Sequence, residues 1–371
     1  MRLYGTAPIK DKIYEEFAAG LPSLKGKCIA ITGTTSGTGY WLAFLAAKKE
    51  AAAILLLNRK SERAASMEAD ITRVAPQGTK IITVDCDLSS FDAVKQAASV
   101  AKAKSADFGG IDVLCCNAAV AQMPDQRTED GYDVQMQTNH LSHALLVEEL
   151  LESSMEAAAD ARGEARIVFV SSGARFWPFI PKGPKDFGGA HFEKSAPDSL
   201  GGNCTTMQLL SLKAPQCVRY NHSKLANAAY AMALHEKLAA RGSKVKCLVA
   251  EPGASDTDLI GKGLYIRPGV KANSFLVGFM VALTRMIGMA QSAADGSCPL
   301  AAACFEAGVQ SGDLFAPKNS FGSVPFYVKG LPDKKIAGNA AVSGAKFSEE
   351  NVLSKANQKA AWDATRRAIV A

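Results

Sequence analysis

The sequence predicts an α/β protein in which helices cover both faces of a doubly wound parallel sheet. Short runs of β-branched and aliphatic residues recur along the chain, and helical stretches separate them. These runs are apolar at nearly every position, as in strands that are buried on both faces. Of the 371 residues, 48% are hydrophobic and 21% are charged, which supplies enough apolar material for the core of such a sheet.

The predicted elements follow one another in the alternating order that a parallel sheet requires. The predicted strands are residues 27–32, 53–57, 80–85, 111–116, 165–171 and 245–250. The predicted helices are residues 39–50, 61–74, 89–104, 131–155, 220–240, 274–289, 292–307 and 349–370. The sequence "SAAD" at 292–295 is a capping box, which predicts that a helix begins there.

We expect one domain, formed by residues 26–371, with residues 1–25 as an N-terminal extension. Residues 173–219 are rich in glycine and proline and break the alternation, so we interpret them as a long insertion before the helix at 220–240. Residues 318–371 are expected to be a C-terminal extension.

Charge and cysteine usage narrow the class of protein. The net charge of +6 is mild and the basic residues are scattered, so we expect no nucleic-acid partner. Cysteines lie in or beside apolar runs and none forms a Cys-x-x-Cys pair, which favours the cytoplasm or another reducing intracellular compartment. Residues 1–26 lack the apolar core of a secretory signal, and the apolar stretch 274–283 is too short to span a bilayer. Contact of the folded protein with the surface of a membrane is compatible with these features.

A glycine-rich turn follows the first predicted strand. The sequence "TGTTSGTG" at 32–39 places Gly33, Gly37 and Gly39 between that strand and the next helix, with Thr35 and Ser36 between the glycines. Glycine lets a ligand approach the backbone closely, and the N-terminus of the following helix attracts anions. The spacing Gly-x-x-x-Gly-x-Gly therefore predicts a pyrophosphate-binding turn, although a glycine-rich turn also occurs without any ligand.

The end of the second predicted strand indicates which dinucleotide binds. An acidic residue at this position would bond a ribose diol and favour NAD. Here the strand ends in Asn58, Arg59 and Lys60. Because a guanidinium pairs well with a phosphate, this sequence favours NADP(H) over NAD(H). A solvated arginine at a helix start is the simpler alternative.

Seven motifs in a fixed order carry a family resemblance. They are "TGTTSGTG" (32–39), "DCDLSS" (85–90), "CNAA" (116–119), "TNHLSH" (138–143), "VSS" (170–172), "YNHSK" (220–224) and "EPGASDT" (251–257). Together they resemble the short-chain dehydrogenase/reductase family, and most closely its retinol dehydrogenase and protochlorophyllide reductase branch. The resemblance implies a Rossmann fold, an NADP(H)-dependent oxidoreductase and a homodimer paired through helices 131–155 and 220–240.

The resemblance also assigns roles to single residues. It implies that the cofactor is bound along the strand ends by the following residues: Asp87, Leu88, Asn117, Ala118, Pro252, Gly253 and Thr257. It assigns the catalytic roles to Asn139, Ser172, Tyr220 and Lys224, and it implies that Tyr220 and Lys224 also contact the cofactor. His140 and His143 form an i,i+3 pair, but no Cys, Asp or Glu in the sequence pattern completes a metal site with them.

The spacing of Tyr220 and Lys224 suits proton transfer. Residues four apart share one helical face, and a nearby ammonium favours the phenolate, so we expect Lys224 to lower the pKa of Tyr220. Ser172 is expected to bond the substrate oxygen. Asn139 is expected to hold a water that connects Lys224 to solvent.

The substrate is expected to be a small lipophilic carbonyl compound or alcohol such as a retinoid, steroid or fatty aldehyde. The insertion and the stretch after Thr257 would cover the site, and both contain many aromatic and aliphatic residues. Residues 274–289 could equally be ordinary core or a dimer face. Protochlorophyllide reductases carry a cysteine directly after the Pro-Gly, where this chain has Ala254, so pigment reduction is the weaker alternative. The other alternative function is that of a non-catalytic scaffold that binds NADP(H).

Overall fold

The strands form a single eight-stranded sheet in a computed structural model of the chain, with the order β3-β2-β1-β4-β5-β6-β7-β8. The structure describes residues 11, 13–176, 190–201, 215–255, 291–317, 327–329 and 350–370. The predicted helix at 274–289 and Thr257 lie outside these residues. Pairing is parallel from β3 to β7, and only β8 is antiparallel.

All six predicted strands are confirmed, and two more follow them. The strands are β1 Cys28–Thr32, β2 Ala53–Asn58, β3 Lys80–Asp85, β4 Val113–Cys116, β5 Ala165–Val170, β6 Val245–Ala250, β7 Leu314–Pro317 and β8 Tyr327–Lys329. The last two, of four and three residues, were not predicted. The sheet changes direction between β1 and β4, where such folds place their ligand crevice.

The helices confirm the alternation and correct several bounds. They are α1 Tyr14–Gly20, α2 Gly37–Lys48, α3 Glu62–Val74, α4 Phe91–Ala106, α5 Val134–Met136, α6 Ser142–Leu150, α7 Glu156–Arg162, α8 Pro215–Ala240, α9 Ala293–Phe305, α10 Glu350–Leu353 and α11 Lys355–Val370. Among the described residues, helix α8 extends back to Pro215, five residues before the predicted start.

The predicted helix at 131–155 is a longer, interrupted stretch. Helices α5, α6 and α7 are joined by two π-helical turns, Gln137–Leu141 and Leu151–Met155. Each wider turn breaks the 3.6-residue period on which the prediction depended. The Ala-rich segment Glu156–Arg162 then continues the helix beyond the predicted end.

Apolar layers on both faces of the sheet form the core. Along β1, Cys28 and Ala30 pack on one face and Ile29 and Ile31 on the other, and all four are fully buried. This is why the strand sequence is apolar without alternation. The capping interaction predicted at 292–295 is present, since the Ser292 hydroxyl accepts a 2.9 Å bond from the Asp295 amide. No helix among the described residues is both long and apolar enough to cross a membrane.

Helix α11 packs against both helical stretches that the resemblance assigns to subunit pairing. The rings of Tyr230 on α8 and Trp362 on α11 stack in parallel with centroids 5.1 Å apart. An ion pair joins Glu148 on α6 to Arg366. Part of the expected pairing surface is thus covered by the chain itself, and the homodimer stays a prediction.

A buried hydrogen-bond chain fixes α11 to the core. Asn227 Nδ2 donates to the carbonyl oxygens of Asn139 and Val170, so its Oδ1 faces His140 Nδ1 at 2.9 Å. The His140 ring therefore donates from Nδ1, and its Nε2 accepts from the Thr365 hydroxyl at 2.7 Å. Burial lowers the pKa of His140 to about 4, which keeps the ring neutral at pH 7.

Replacing Thr365 tests this attachment of α11. Thr365→Val keeps the side-chain shape but leaves His140 Nε2 buried without a donor, and we expect it to lower the free energy of unfolding by about 1–3 kcal/mol. The Thr365 hydroxyl also lies 2.7 Å from the Ala361 carbonyl, one turn earlier in α11. That carbonyl accepts the helical backbone bond whether or not the hydroxyl is present. Thr365→Ser retains the donor and is the matched control. Urea denaturation that finds the two variants equally stable would contradict the proposed hydrogen bond.

Candidate active site

The loops that follow β1, β4, β5 and β6 meet at the carboxyl edge of the sheet. They carry the glycine turn at 33–39, the residues Asn117 and Ala118, the residues Ser171 and Ser172, and the residues Pro252 and Gly253. Residues that are far apart in the sequence are thereby brought to one edge of the sheet, which is where open parallel sheets bind ligands.

The glycine turn is shaped so that only glycine fits at two positions. Gly33 has a φ of +72°, and a Cβ there would lie 2.8 Å from the Ala118 backbone. A Cβ on Gly39 would lie 2.4 Å from both the Asn117 side-chain nitrogen and the Gly33 oxygen. Gly37, with a φ of +62°, begins α2, whose N-cap Ser36 makes no side-chain cap bond. The result is a tight glycine turn at the N-terminus of α2, which suits the approach of a pyrophosphate to the backbone.

Two asparagines hold this turn in place. Asn58 Oδ1 accepts from the Thr34 amide at 2.8 Å, and its Nδ2 donates to the Thr34 hydroxyl at 2.7 Å. Asn117 Nδ2 donates to the Thr32 carbonyl at 2.9 Å, and its Oδ1 accepts from Thr38 at 3.0 Å. Both side chains are thus bonded to the turn, and the contacts with a cofactor that we predicted for them stay a prediction.

Two arginines follow β2, Arg59 and Arg63, and the sequence analysis missed the second. Arg59 is exposed. Arg63, in the first turn of α3, donates from Nε to the Thr35 carbonyl at 3.0 Å. The spacing of residues along the chain carried no signal for Arg63, because Arg59 precedes α3 and the two residues do not share a helical face. A basic surface therefore lies directly beside the glycine turn.

Asp87 and Leu88 lie at the end of β3, as the resemblance implies. Asp87 Oδ1 accepts from the Ser89 amide at 2.9 Å and from its hydroxyl at 2.7 Å. Leu88 is buried, and its carbonyl accepts from Ser142 at 2.7 Å. The second carboxylate oxygen of Asp87 takes no part in the bonds to Ser89.

Three of the four predicted catalytic residues cluster around α8. The Ser172 side chain lies beside the phenol of Tyr220 and acts to lower its pKa. Lys224 lies one helical turn from Tyr220, with its Nζ 5.9 Å from the phenol ring centroid, and donates to the Val170 carbonyl at 2.9 Å. Ser171 instead donates to the Lys224 carbonyl at 2.7 Å. Of the two adjacent serines, Ser172 is therefore the one that faces the phenol.

Asn139 reaches this cluster indirectly. It lies in the π-helical turn Gln137–Leu141, and its side chain bonds to both backbone groups of Val120 and to Ser223, all within 2.9 Å. Its carbonyl oxygen accepts from Asn227 Nδ2 at 3.0 Å, and the same nitrogen donates to Val170. The sequence analysis missed Asn227, although it follows Lys224 by three residues on the same helix.

The expected effect of Lys224 on the pKa of Tyr220 was wrong for the chain as it stands. Burial raises the pKa of Tyr220 to about 12, the neighbouring Ser172 side chain opposes this, and the Glu251 carboxylate adds to it. Burial also lowers the pKa of Lys224 to about 7. Desolvation disfavours both charged forms, and it outweighs the attraction between them.

The loop after β6 completes the site. Gly253 has a φ of +66°, and a Cβ there would lie 2.7 Å from the Pro317 ring. The Pro252 carbonyl accepts from the Ser255 hydroxyl at 2.9 Å and also from the Gln291 side chain. These contacts fix the backbone at 252–255 beside the cluster. No group of three or more potential metal ligands is found within the described part of the chain.

Comparison with known proteins identifies the family. Residues 27–182 match the family model of the short chain dehydrogenases. An uncharacterized oxidoreductase of Schizosaccharomyces pombe is 32% identical over 64% of this chain and 63% of its own length. The WW domain-containing oxidoreductase of Danio rerio is 30% identical over 66% of this chain and 54% of its own. Taken with the ordered motifs and the sheet, these matches place residues 27–182 in the short-chain dehydrogenase/reductase family.

Other comparisons agree on family and fold. Human retinol dehydrogenase 11 is 28% identical over 71% of this chain and 73% of its own length, and human polyprenol dehydrogenase is 27% identical over 64% and 63%. The chain thus spans between about half and two thirds of the first relatives it matches. L-sorbose reductase of Gluconobacter frateurii, solved with NADPH and L-sorbose, shares the fold with a TM-score of 0.56 and 16% identity, over 82% of this chain and 98% of its own.

Gly39 offers a direct test of the glycine turn. Gly39→Ala places a methyl group against Asn117 and the Gly33 carbonyl, and we expect it to lower the free energy of unfolding by about 2 kcal/mol or more. Gly20→Ala, where a Cβ meets nothing within 4 Å, is the matched control and should change stability by about 0.5 kcal/mol or less. Equal thermal midpoints for the two variants would show that the turn is not closely packed.

Proposed function

We propose that this protein is an NADP(H)-dependent reductase or dehydrogenase that interconverts a carbonyl and an alcohol on a small lipophilic substrate. The observation that carries the proposal is the position of Tyr220, with Ser172 beside it and Lys224 Nζ 5.9 Å from its ring centroid, at the carboxyl edge of the sheet that also carries the glycine turn. A phenol, a hydroxyl and an amine in this arrangement can deliver a proton to a carbonyl oxygen.

Each side chain has a distinct part in that chemistry. In reduction, Tyr220 gives its proton to the substrate oxygen, and Ser172 stabilises the negative charge that develops on the same oxygen. Lys224, held by the Val170 carbonyl, stabilises the phenolate that Tyr220 leaves behind. A bound nicotinamide dinucleotide supplies the hydride. Asn139 keeps its proposed part in the proton path through Asn227.

The turn residues Gly33, Thr35, Ser36, Gly37 and Gly39 would hold the pyrophosphate. Arg59 and Arg63 support the choice of NADP(H), because two guanidinium groups close to the turn suit a 2′-phosphate. The residues Asp87, Leu88, Asn117, Ala118, Pro252 and Gly253 would line the remainder of the cofactor site.

The relatives support a lipophilic substrate. Polyprenol and retinol, after which two of them are named, are long apolar alcohols. The aromatic and aliphatic composition of the insertion at 173–219 agrees with such a ligand.

Tyr220→Phe tests the catalytic assignment. The variant lacks the transferable proton, so we expect NADPH to bind normally while turnover of retinal or a long-chain aldehyde falls by about 100-fold or more. Fluorescence titration measures binding, and NADPH consumption measures turnover. Tyr230→Phe, on the same helix but away from the sheet edge, is the control. Turnover retained in Tyr220→Phe would remove Tyr220 from the mechanism.

Arg59→Ala tests the cofactor assignment. Loss of a charged bond to the 2′-phosphate should raise the Kd for NADPH about tenfold or more and leave that for NADH unchanged. Arg73→Ala at the far end of α3, where the arginine pairs with Asp70 on the surface, is the control. A parallel loss for both cofactors would argue against a 2′-phosphate contact.

A further inference from the structure

A buried ion pair joins the loops that follow β5 and β6. Arg175 and Glu251 form a salt bridge, and each side chain is only 1% exposed. Arg175 lies three residues beyond Ser172, and Glu251 directly precedes Pro252. Two opposite charges buried this deeply are costly unless they are well paired, so their position beside the candidate site requires a physical explanation.

Arg175 connects this pair to Ser172. Its Nη1 donates to the Ser172 carbonyl at 2.9 Å, and its own amide donates to the same oxygen at 3.0 Å. Glu251 is in turn fixed in the sheet, where its amide donates to the Phe315 carbonyl at 2.8 Å. The backbone of Ser172 is therefore held from the neighbouring strand through a guanidinium.

Glu251 also acts on Tyr220 through its charge. Its negative field adds to the burial that raises the pKa of the phenol to about 12. Its Oε1 atom is buried and accepts no hydrogen bond from any residue that the structure describes. Glu251 is thus bonded to Arg175 through one oxygen only, and its charge acts on Tyr220 from the loop after β6.

We propose that the Arg175–Glu251 pair is a positioning device for the candidate catalytic residues, which holds the backbone of Ser172 in place and brings a buried carboxylate to the same edge of the sheet as Tyr220. This inference rests on the proposed function. Arg175 and Glu251 act through Ser172 and Tyr220 and touch no reacting atom themselves.

The other charged or titratable side chains around Tyr220 are the same in all of the proteins that the test compares. Lys224 faces the phenol from the same helix. His143, from the helical stretch that carries Asn139, lies near Lys224, and burial keeps it neutral by lowering its pKa to about 3. His222, also on α8, is neutral for the same reason, with a pKa lowered to about 3. None of these groups changes when the pair is altered.

The test compares the titration of Tyr220 in four proteins. Glu251→Gln keeps the shape of the carboxylate but removes its negative charge, so that the positive charge of Arg175 is the only charge of the pair. Tyr220 should therefore titrate about one to two pH units lower than in the wild type. The double variant Arg175→Gln/Glu251→Gln should titrate between the two. Arg175→Gln alone should raise the value. NMR of ¹³C-labelled tyrosine follows the phenol, and the spectrum of Tyr220→Phe assigns its signal.

The rate of alcohol oxidation gives a second readout. Because oxidation needs the ionised phenol, kcat/KM rises as pH increases through the Tyr220 pKa, and this rise should move to lower pH in Glu251→Gln. If Arg175→Gln does not fold, the other three proteins still fix the order. The NMR titration needs no turnover, so it tests the inference even if no substrate is found.

A remote pair provides the matched control. Glu164 pairs with Arg166 at the opposite end of β5, so Glu164→Gln should leave the Tyr220 titration unchanged. The proposal is overturned if Glu251→Gln titrates like the wild type, or if Glu164→Gln produces the same displacement. The proposal is supported if Tyr220 titrates at the lowest pH in Glu251→Gln, at a higher pH in the double variant and at the highest pH in the wild type.

Discussion

The candidate site depends on a single buried acceptor, the carbonyl oxygen of Val170. This residue ends β5 in the middle of the sheet, between β4 and β6. Its oxygen accepts from Lys224 Nζ at 2.9 Å and from Asn227 Nδ2 at 3.1 Å. Because Lys224 and Asn227 lie on one face of α8, that helix has only one register in which both bonds form. The position of Tyr220, one turn earlier, follows from that register.

The burial that creates this geometry also determines its chemistry. The buried amine and the half-buried phenol both favour their neutral forms, which is why the pKa values of Lys224 and Tyr220 move in opposite directions. At neutral pH the phenol is therefore protonated, which is the form that a donor to a carbonyl oxygen requires. To act as a base, Tyr220 requires an additional positive charge close to it.

The sequence analysis was accurate where the signal is local. The glycine turn, the Tyr220–Lys224 spacing and the apolar strands depend on neighbours within a few residues, and each has a recognisable pattern. It failed where partners are distant. Asn227 gains its importance from Val170 and Asn139, and Arg175 gains its importance from Glu251, 76 residues away. Spacing along a chain carries no information about such contacts before the sheet is built.

The pKa of Tyr220 illustrates the same limit. The sequence shows that an ammonium lies one turn away, and this contact alone would lower the pKa. How much water the fold removes from both groups depends on the packing of β5, α8 and the loop after β6, and that is a property of the tertiary structure. The direction of the shift therefore could not be predicted from the spacing.

The bond between His140 and Thr365 spans 225 residues of the chain. A ribosome therefore synthesises β1 to β8 before it delivers the helix that saturates the imidazole. Until then Tyr230 and His140 lack their partners on α11, and an apolar surface stays open to chaperones or to a neighbouring nascent chain. The interior around α8 can thus close only after the strands that position it have been made.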